Sequence, residues 1–253
     1  MRNVVILAAG MGTRLGRPHP KPLTPLADGR SIMRQQLDHI RAAYGSEVHI
    51  SIVVGFKKDL VMEAAADDAA FVYNELYDQT NTAKSLLKAL RFGPPGGVLW
   101  LNGDVVFTPD LLGELEPAIT AQQSFVAVNT ASVAEEEVKY TLDEAGYIEC
   151  LSKQVSNGLG EAVGINYVAA SDRSVLMDHL VLADERDYFE RGIESAIAAG
   201  GLRVQAVDIS KYGCVEVDFA EDLERANALT TTSTNARTTE PSVTPSLSGE
   251  HSS

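Results

Sequence analysis

The sequence predicts an α/β fold with a doubly wound, mainly parallel sheet, and three observations lead there. Short uninterrupted apolar runs end at glycine or polar residues, the pattern of strands buried on both faces. Over roughly the first 117 residues these runs alternate with amphipathic segments of helical period, which makes a βαβα order. Aliphatic residues carry the apolar content: 45% of the chain is hydrophobic but only 6% aromatic. That balance suits a sheet covered by helices better than an aromatic-rich all-β fold.

The first strand spans Asn3 to Ala9 and stops at Gly10. Gly10 to Gly29 is rich in Gly and Pro without periodicity, a loop long enough to suggest function. Ser31 is placed to cap a helix reaching Tyr44. Val48 to Val54 reads as the next strand, then a helix from Lys57 to Asp67 and a short strand from Phe71 to Tyr73. Asn81 to Leu90 is helical, with Leu86, Leu87 and Leu90 on one side. Val98 to Leu101 is an apolar strand leading into Asn102-Gly103-Asp104. A helix starting at Thr108 or Pro109 runs into Leu115. The second half is strand-rich: Phe125 to Asn129, Val138 to Leu142, Tyr147 to Ser152 and Val163 to Ala169. Asp143-Glu144-Ala145-Gly146 has the residues of a hairpin turn. Helices return at Arg173 to Leu182 and Tyr188 to Ala199. Leu202 to Val207 is a late strand, and Phe219 to Leu229 a closing helix with Asp218 as its expected N-cap.

These elements divide the chain into one domain, 1–229, with a βαβα half to about 117 and a strand-rich half from 118. Residues 230–253 are dominated by Thr, Ser and Pro. They have too little apolar surface to offset ordering entropy, so a disordered tail is expected. The formal net charge of −14 disfavours nucleic-acid binding, and anionic substrates would require locally placed cations. Two cysteines without a C-x-x-C pair suggest reduced thiols in a cytoplasmic protein. The N-terminal run is too short for a signal peptide, and no apolar stretch approaches a membrane span. No membrane partner is therefore expected.

Chemistry is concentrated after the first strand. Gly10 and Gly12 let backbone amides converge on an anion with no side chain in the way, at the strand end where open α/β sheets bind ligands. The loop is not a Walker A motif, because no Gly-Lys-Ser/Thr triplet follows. A dinucleotide fingerprint requires a third glycine where Leu15 stands, and no acidic residue closes a second strand at the expected distance.

Leu7-Ala8-Ala9-Gly10-Met11-Gly12-Thr13-Arg14-Leu15-Gly16, followed by Pro20-Lys21-Pro22-Leu23, resembles the signature of nucleotidyltransferases that make nucleoside-diphosphate sugars and CDP-alcohols. Leu101-Asn102-Gly103-Asp104 is similar to that superfamily's first metal aspartate. Glu216-Val217-Asp218 with Glu221-Asp222-Leu223 resembles its second metal site and the helix after it. Asn74-Glu75, Tyr77, Asn81-Thr82-x-x-Ser85-Leu86, Lys139, Ile148 and Leu151-Ser152-Lys153 are most similar to the choline-phosphate cytidylyltransferase-like branch. The resemblance implies a Rossmann-like three-layer sandwich with a mixed, mainly parallel sheet and a small β-rich acceptor part. It implies Mg²⁺ as cofactor, and attack of an acceptor's phosphate or phosphonate oxygen on the α-phosphorus of a nucleoside triphosphate.

Residue roles follow from the resemblance. Leu7 to Thr13 and Gly103 would line the nucleotide. Arg14 would grip the β/γ-phosphates and Lys21 the α-phosphate, against the alternative of solvated loop charges. Asp104 and Asp218 would hold Mg²⁺, joined by Glu216 unless it is a surface strand residue. Lys153 would face the acceptor's phosphate, with Lys139, Tyr140, Glu161, Gly164 and Tyr188 nearby. Asn81 and Ser85, four apart on a helix start, are placed to read a base edge, although Asn81 is equally suited to capping the helix. Tyr140, Tyr188, Phe189 and Tyr212 are the aromatic candidates for a cationic acceptor. Trp100 is expected in the core, and His19 is the histidine nearest the chemistry in sequence.

Three functions remain open. The first is a cytidylyltransferase using CTP and a small phosphomonoester or phosphonate. The second is a sugar-1-phosphate nucleotidyltransferase using UTP, GTP or dTTP. The third is a non-catalytic nucleotide sensor on the same fold, which the presence of Lys21, Asp104 and Asp218 disfavours. A homodimer is a compatible assembly.

Overall fold

In the computed structural model, residues 1–12, 18–131, 133–134 and 136–237 are described, 232–237 as backbone only. Among them, one mixed sheet runs β10 (Gln205–Asp208), β6 (Phe125–Asn129), β9 (Glu161–Val168), β4 (Val98–Asn102), β1 (Arg2–Ala8), β2 (Val48–Val54), β3 (Ala70–Tyr73). β1 pairs in parallel with both β2 and β4, whereas β9 runs antiparallel between β4 and β6. The hairpin β7 (Lys139–Leu142) and β8 (Ile148–Ser152) branches from β9. Its turn is the expected one: Gly146 takes φ +82°, and the Asp143 carboxylate accepts from the backbone of Ala145 and Tyr147.

Side-chain alternation along β1 builds the three layers. Val4, Ile6 and Ala8 face α1 (Ile32–Tyr44), α2 (Lys58–Ala65) and α4 (Leu111–Thr120) through Met33, Leu37, Val61 and Leu115. Val5, Leu7 and Ala9 face the opposite way, toward α3 (Thr82–Phe92), α5 (Arg173–Leu182) and α6 (Phe189–Ala198). Trp100 lies in that second core, edge-on to Phe189 at 5.5 Å between ring centroids. Ser31 caps α1 as expected, accepting from the Arg34 amide at 3.1 Å.

Several boundaries differ from expectation. α4 starts at Leu111 because the Thr108 amide is taken by the Gly213 carbonyl at 2.9 Å. That bond extends an unforeseen antiparallel ribbon, β5 (Val105–Phe107) with β11 (Cys214–Glu216). The late strand begins at Gln205, since Leu202 and Val204 turn into the helical core before it. The closing helix α7 (Ala220–Arg237) extends eight residues past Leu229, which corrects the disorder expected for 230–237. Thr230 and Thr231 satisfy their hydroxyls on the Asn227 carbonyl, and Thr230 is buried. The tail reading for 238–253 lies outside the described residues. No described helix is long and apolar enough to cross a membrane.

Candidate active site

The crevice forms where the connections from β1 diverge: α1 leads to β2 on one side, and β4 lies on the other. This is the switch point at which open α/β sheets take ligands. Gly10 and Met11 are exposed there, and Gly12 sits at φ +58° against Lys21. Gly103 approaches β1 so closely that a Cβ would lie 2.7 Å from the Leu7 carbonyl oxygen and 2.9 Å from Pro22 Cγ. Its amide donates to that Leu7 oxygen at 2.9 Å. Thr13 and Arg14 lie outside the described residues.

The β5–β11 ribbon assembles the carboxylates. Glu216 is in register with Val105, and the Val217 amide donates to the Asp104 carbonyl at 3.0 Å. Asp218 thereby comes beside Asp104, although 114 positions separate them in sequence. Lys21, on a single turn of 3₁₀ helix (Lys21–Leu23), bridges them: its Nζ donates to Asp104 Oδ2 at 2.7 Å and to Asp218 Oδ1. Burial alone would pull the Lys21 pKa down, but attraction to Asp104 and Asp218 outweighs it and holds the ammonium above its ordinary value. Asp218 is not the helix N-cap, because α7 begins at Ala220. Asp222 reaches back instead, accepting from the Asp218 and Phe219 amides, and leaves the Asp218 carboxylate to Lys21.

Glu216 stands beside the same two carboxylates. Its Oε1 accepts from Asn102 Nδ2 at 3.1 Å, and burial, followed by repulsion from Asp104, Glu137 and Asp218, raises its pKa well above the ordinary range. No group of three His, Cys, Asp or Glu side chains fit to hold a metal exists among the described residues. Asp104 and Asp218 nonetheless fit Mg²⁺, which typically takes one or two carboxylates together with substrate phosphates. Asp104 Oδ1 is buried and without a hydrogen-bond partner, an oxygen well suited to a hard cation.

The residues expected to take the acceptor lie on the β7–β8 hairpin, the start of β9 and the N-terminus of α6. Lys153 follows β8, and its Nζ stands 5.2 Å from the Tyr188 ring centroid. Lys139 opens β7 opposite Ser152 and Glu161, and Glu161 Oε2 accepts from the Ala134 amide at 3.0 Å. Gly164 sits at φ +70° within β9, where a Cβ would meet Asn102 Nδ2 at 2.8 Å.

Other expectations are corrected. Tyr140 is 3% exposed in the core, because alternation along β7 turns it away from Lys139's face. Phe189 is likewise core, and Tyr212 bonds Glu114 at 2.7 Å. Tyr188 therefore remains as the exposed aromatic candidate. Ser85 lies on the buried face of α3 and accepts from Asn74 Nδ2 at 3.0 Å, so it supports the Asn74 turn rather than presenting itself to a base. Asn81 does cap α3, accepting from Thr82 N at 2.9 Å and donating to the Arg186 carbonyl at 3.2 Å. His19 contacts only the neighbouring Pro20 carbonyl among the hydrogen bonds described.

Sequence reasoning named Asn102 only as part of its motif and did not single out Glu137 or Glu190. Glu190 left a readable signal: it interrupts the apolar face formed by Phe189, Ile193 and Ala196. An open cavity of about 710 Å³ lined by Arg2, Tyr44 and Glu116 lies at the N-terminal ends of the strands, away from this crevice.

The MobA-like NTP transferase domain profile matches residues 4–203. The chain is 30% identical over 241 residues to CMP-5'-(3-aminopropyl)phosphonate synthase from Streptomyces rubellomurinus, covering 88% of this chain and 38% of that protein. It is 38% identical over 122 residues to the bifunctional protein GlmU of Pseudomonas aeruginosa, 47% of this chain and 26% of that one. The chain thus spans well under half the length of these relatives. In fold it is similar to the inositol-1-phosphate CTP transferase from T. maritima (TM-score 0.73, 19% identity, covering 90% of this chain and 96% of that one). It is also similar to the CTP:phosphocholine cytidylyltransferase from Streptococcus pneumoniae (TM-score 0.68, 17% identity, 91% and 100% covered).

Proposed function

Because the chain belongs to the MobA-like NTP transferase family, we propose that it is a nucleotidyltransferase that transfers CMP from CTP to a small phosphonate or phosphomonoester, with Mg²⁺ as cofactor and release of pyrophosphate. The observation that carries this reading is the Lys21 ammonium held between Asp104 and Asp218 at the end of β1 and β4. The relative from Streptomyces rubellomurinus, which matches most of this chain, supports the choice of nucleotide and acceptor.

Asp104 and Asp218 would hold Mg²⁺, which when bound neutralises triphosphate charge and favours departure of pyrophosphate. The Gly10–Gly12 turn supplies backbone amides to the phosphates. Lys21 passes from its paired aspartates to the α-phosphate, where negative charge grows in the transition state. Lys153 orients the acceptor's anionic oxygen for in-line attack. Positioning and charge stabilisation account for the rate, and no covalent intermediate on the protein is required.

Pyrophosphate release across CTP, UTP, GTP and dTTP, each with phosphonates, phosphocholine and hexose 1-phosphates, tests the proposal. CTP with a phosphonate or phosphomonoester is the expected productive pair. Turnover confined to UTP and a hexose phosphate would overturn it in favour of the second reading, which the 38% identity to GlmU over 122 residues supports.

A further inference from the structure

Helix α1 packs one polar side chain against the turn that carries Asp104. Gln36 lies on the buried face of α1 with Met33, Leu37 and Ile40, and is itself 0% exposed. Its Nε2 donates to the Asn102 carbonyl at 2.9 Å and to the Val105 carbonyl at 2.8 Å. A side-chain amide has two N–H groups, and both are committed here. The two carbonyls bracket Gly103 and Asp104, so one amide ties the end of β4 to the start of β5. The turn is held from other sides as well: the Gly103 amide donates to the Leu7 carbonyl, and the Asp104 carbonyl accepts from Val217. Asp104 thus has its backbone fixed, while Oδ2 takes Lys21 at 2.7 Å and Oδ1 has no hydrogen-bond partner.

The clamp is costly to the core. Gln36 Oε1 is buried without a hydrogen-bond partner, where an aliphatic side chain of similar length would bring no such oxygen. Asn102 and Val105, whose carbonyls Gln36 holds, also meet the strand that leads to Asp218. Asn102 Nδ2 donates to Glu216 Oε1 at 3.1 Å, and Val105 is in register with Glu216 across the β5–β11 ribbon.

Resting on the nucleotidyltransferase reading, we propose that Gln36 is a positioning residue for the reaction. By clamping the Asn102–Val105 turn it sets the Asp104 carboxylate where it meets Lys21 in the free protein and would meet Mg²⁺ with the triphosphate. Without the two donors, α1 no longer ties the ends of the turn, and the carboxylate loses its fixed aim. Removing a group that orients a metal-binding carboxylate from behind typically changes metal affinity or turnover by about 10- to 100-fold.

The test uses Gln36→Met, which removes both donors and keeps the length of the side chain, beside Ile40→Val, which deletes one buried methyl from the same face of α1. In Gln36→Met, kcat should fall about tenfold or more while KM for CTP stays within about threefold. Calorimetric titration with CTP gives a readout apart from turnover. Affinity in EDTA should match wild type, whereas the gain in affinity that Mg²⁺ brings should shrink about tenfold. Ile40→Val should lower the melting temperature and change neither kcat nor that gain. Gln36→Leu serves if Gln36→Met fails to fold. A Mg²⁺ gain that is unchanged in a folded Gln36 variant, or the same losses in Ile40→Val, overturns this inference and leaves the nucleotidyltransferase reading standing. Absence of CTP binding and of turnover with every acceptor in the wild type overturns both.

Discussion

Lys21 shows how much one side chain does here. Its ammonium neutralises two aspartates that would otherwise repel, and in the proposed reaction the same group is offered to the α-phosphate. Lys21→Ala should lower kcat about 100-fold or more, measured by pyrophosphate release, while circular dichroism still reports a folded protein. Glu190 acts in the opposite direction, a buried carboxyl with one unpartnered oxygen. Burial raises its pKa from 4.5 to about 7, so the folded state holds this proton more tightly than the unfolded state. The resulting stability is complete below the unfolded value and is lost as pH rises through about 7. Glu190→Gln should therefore be more stable than wild type at about pH 8, by up to about 3 kcal/mol, with the advantage shrinking toward about pH 5. Urea unfolding at the two pH values measures this, and an equal effect at both would show that Glu190 is not buried as a charge.

At the scale of elements, the crevice depends on how closely the loop after β4 approaches β1. Gly103 has no room for a methyl group, because backbone and the Pro22 ring lie within 3.0 Å of where its Cβ would be. Gly103→Ala should cost about 1–3 kcal/mol by denaturant unfolding and reduce turnover more than nucleotide affinity, by moving Asp104 away from Lys21. The β5–β11 ribbon is the complementary device. Its three-residue strands leave almost no periodic signal, yet their register sets Glu216 and Asp218 beside Asp104. Short strands of this kind form because partners are brought to them, so local sequence does not announce them.

For the whole molecule, β9 joins the two halves expected on either side of residue 117. It lies between β4 of the first half and β6 of the second, and Phe189 packs on Trp100 across the same core. Thermal unfolding followed by Trp100 fluorescence and by far-ultraviolet circular dichroism should therefore give one coincident transition. Two separated transitions would mean that the halves fold independently.

The sequence by itself determined the α/β class, the order of most strands and helices and the glycine loop, while its resemblance to nucleotidyltransferases singled out Lys21, Asp104 and Asp218, which the fold brings together. These are legible because burial periodicity and turn residues are local, and because a phosphate loop requires its glycines contiguous in the chain. Tertiary structure alone decided that Tyr140, Phe189 and Ser85 face inward, that Asn81 caps its helix, and that Glu216 is held by Asn102. It also brought Glu190 and Glu137 to Lys153. Those outcomes depend on which face of an element meets which neighbour, and on charges brought together from distant parts of the chain. Spacing along a sequence carries no measure of that proximity.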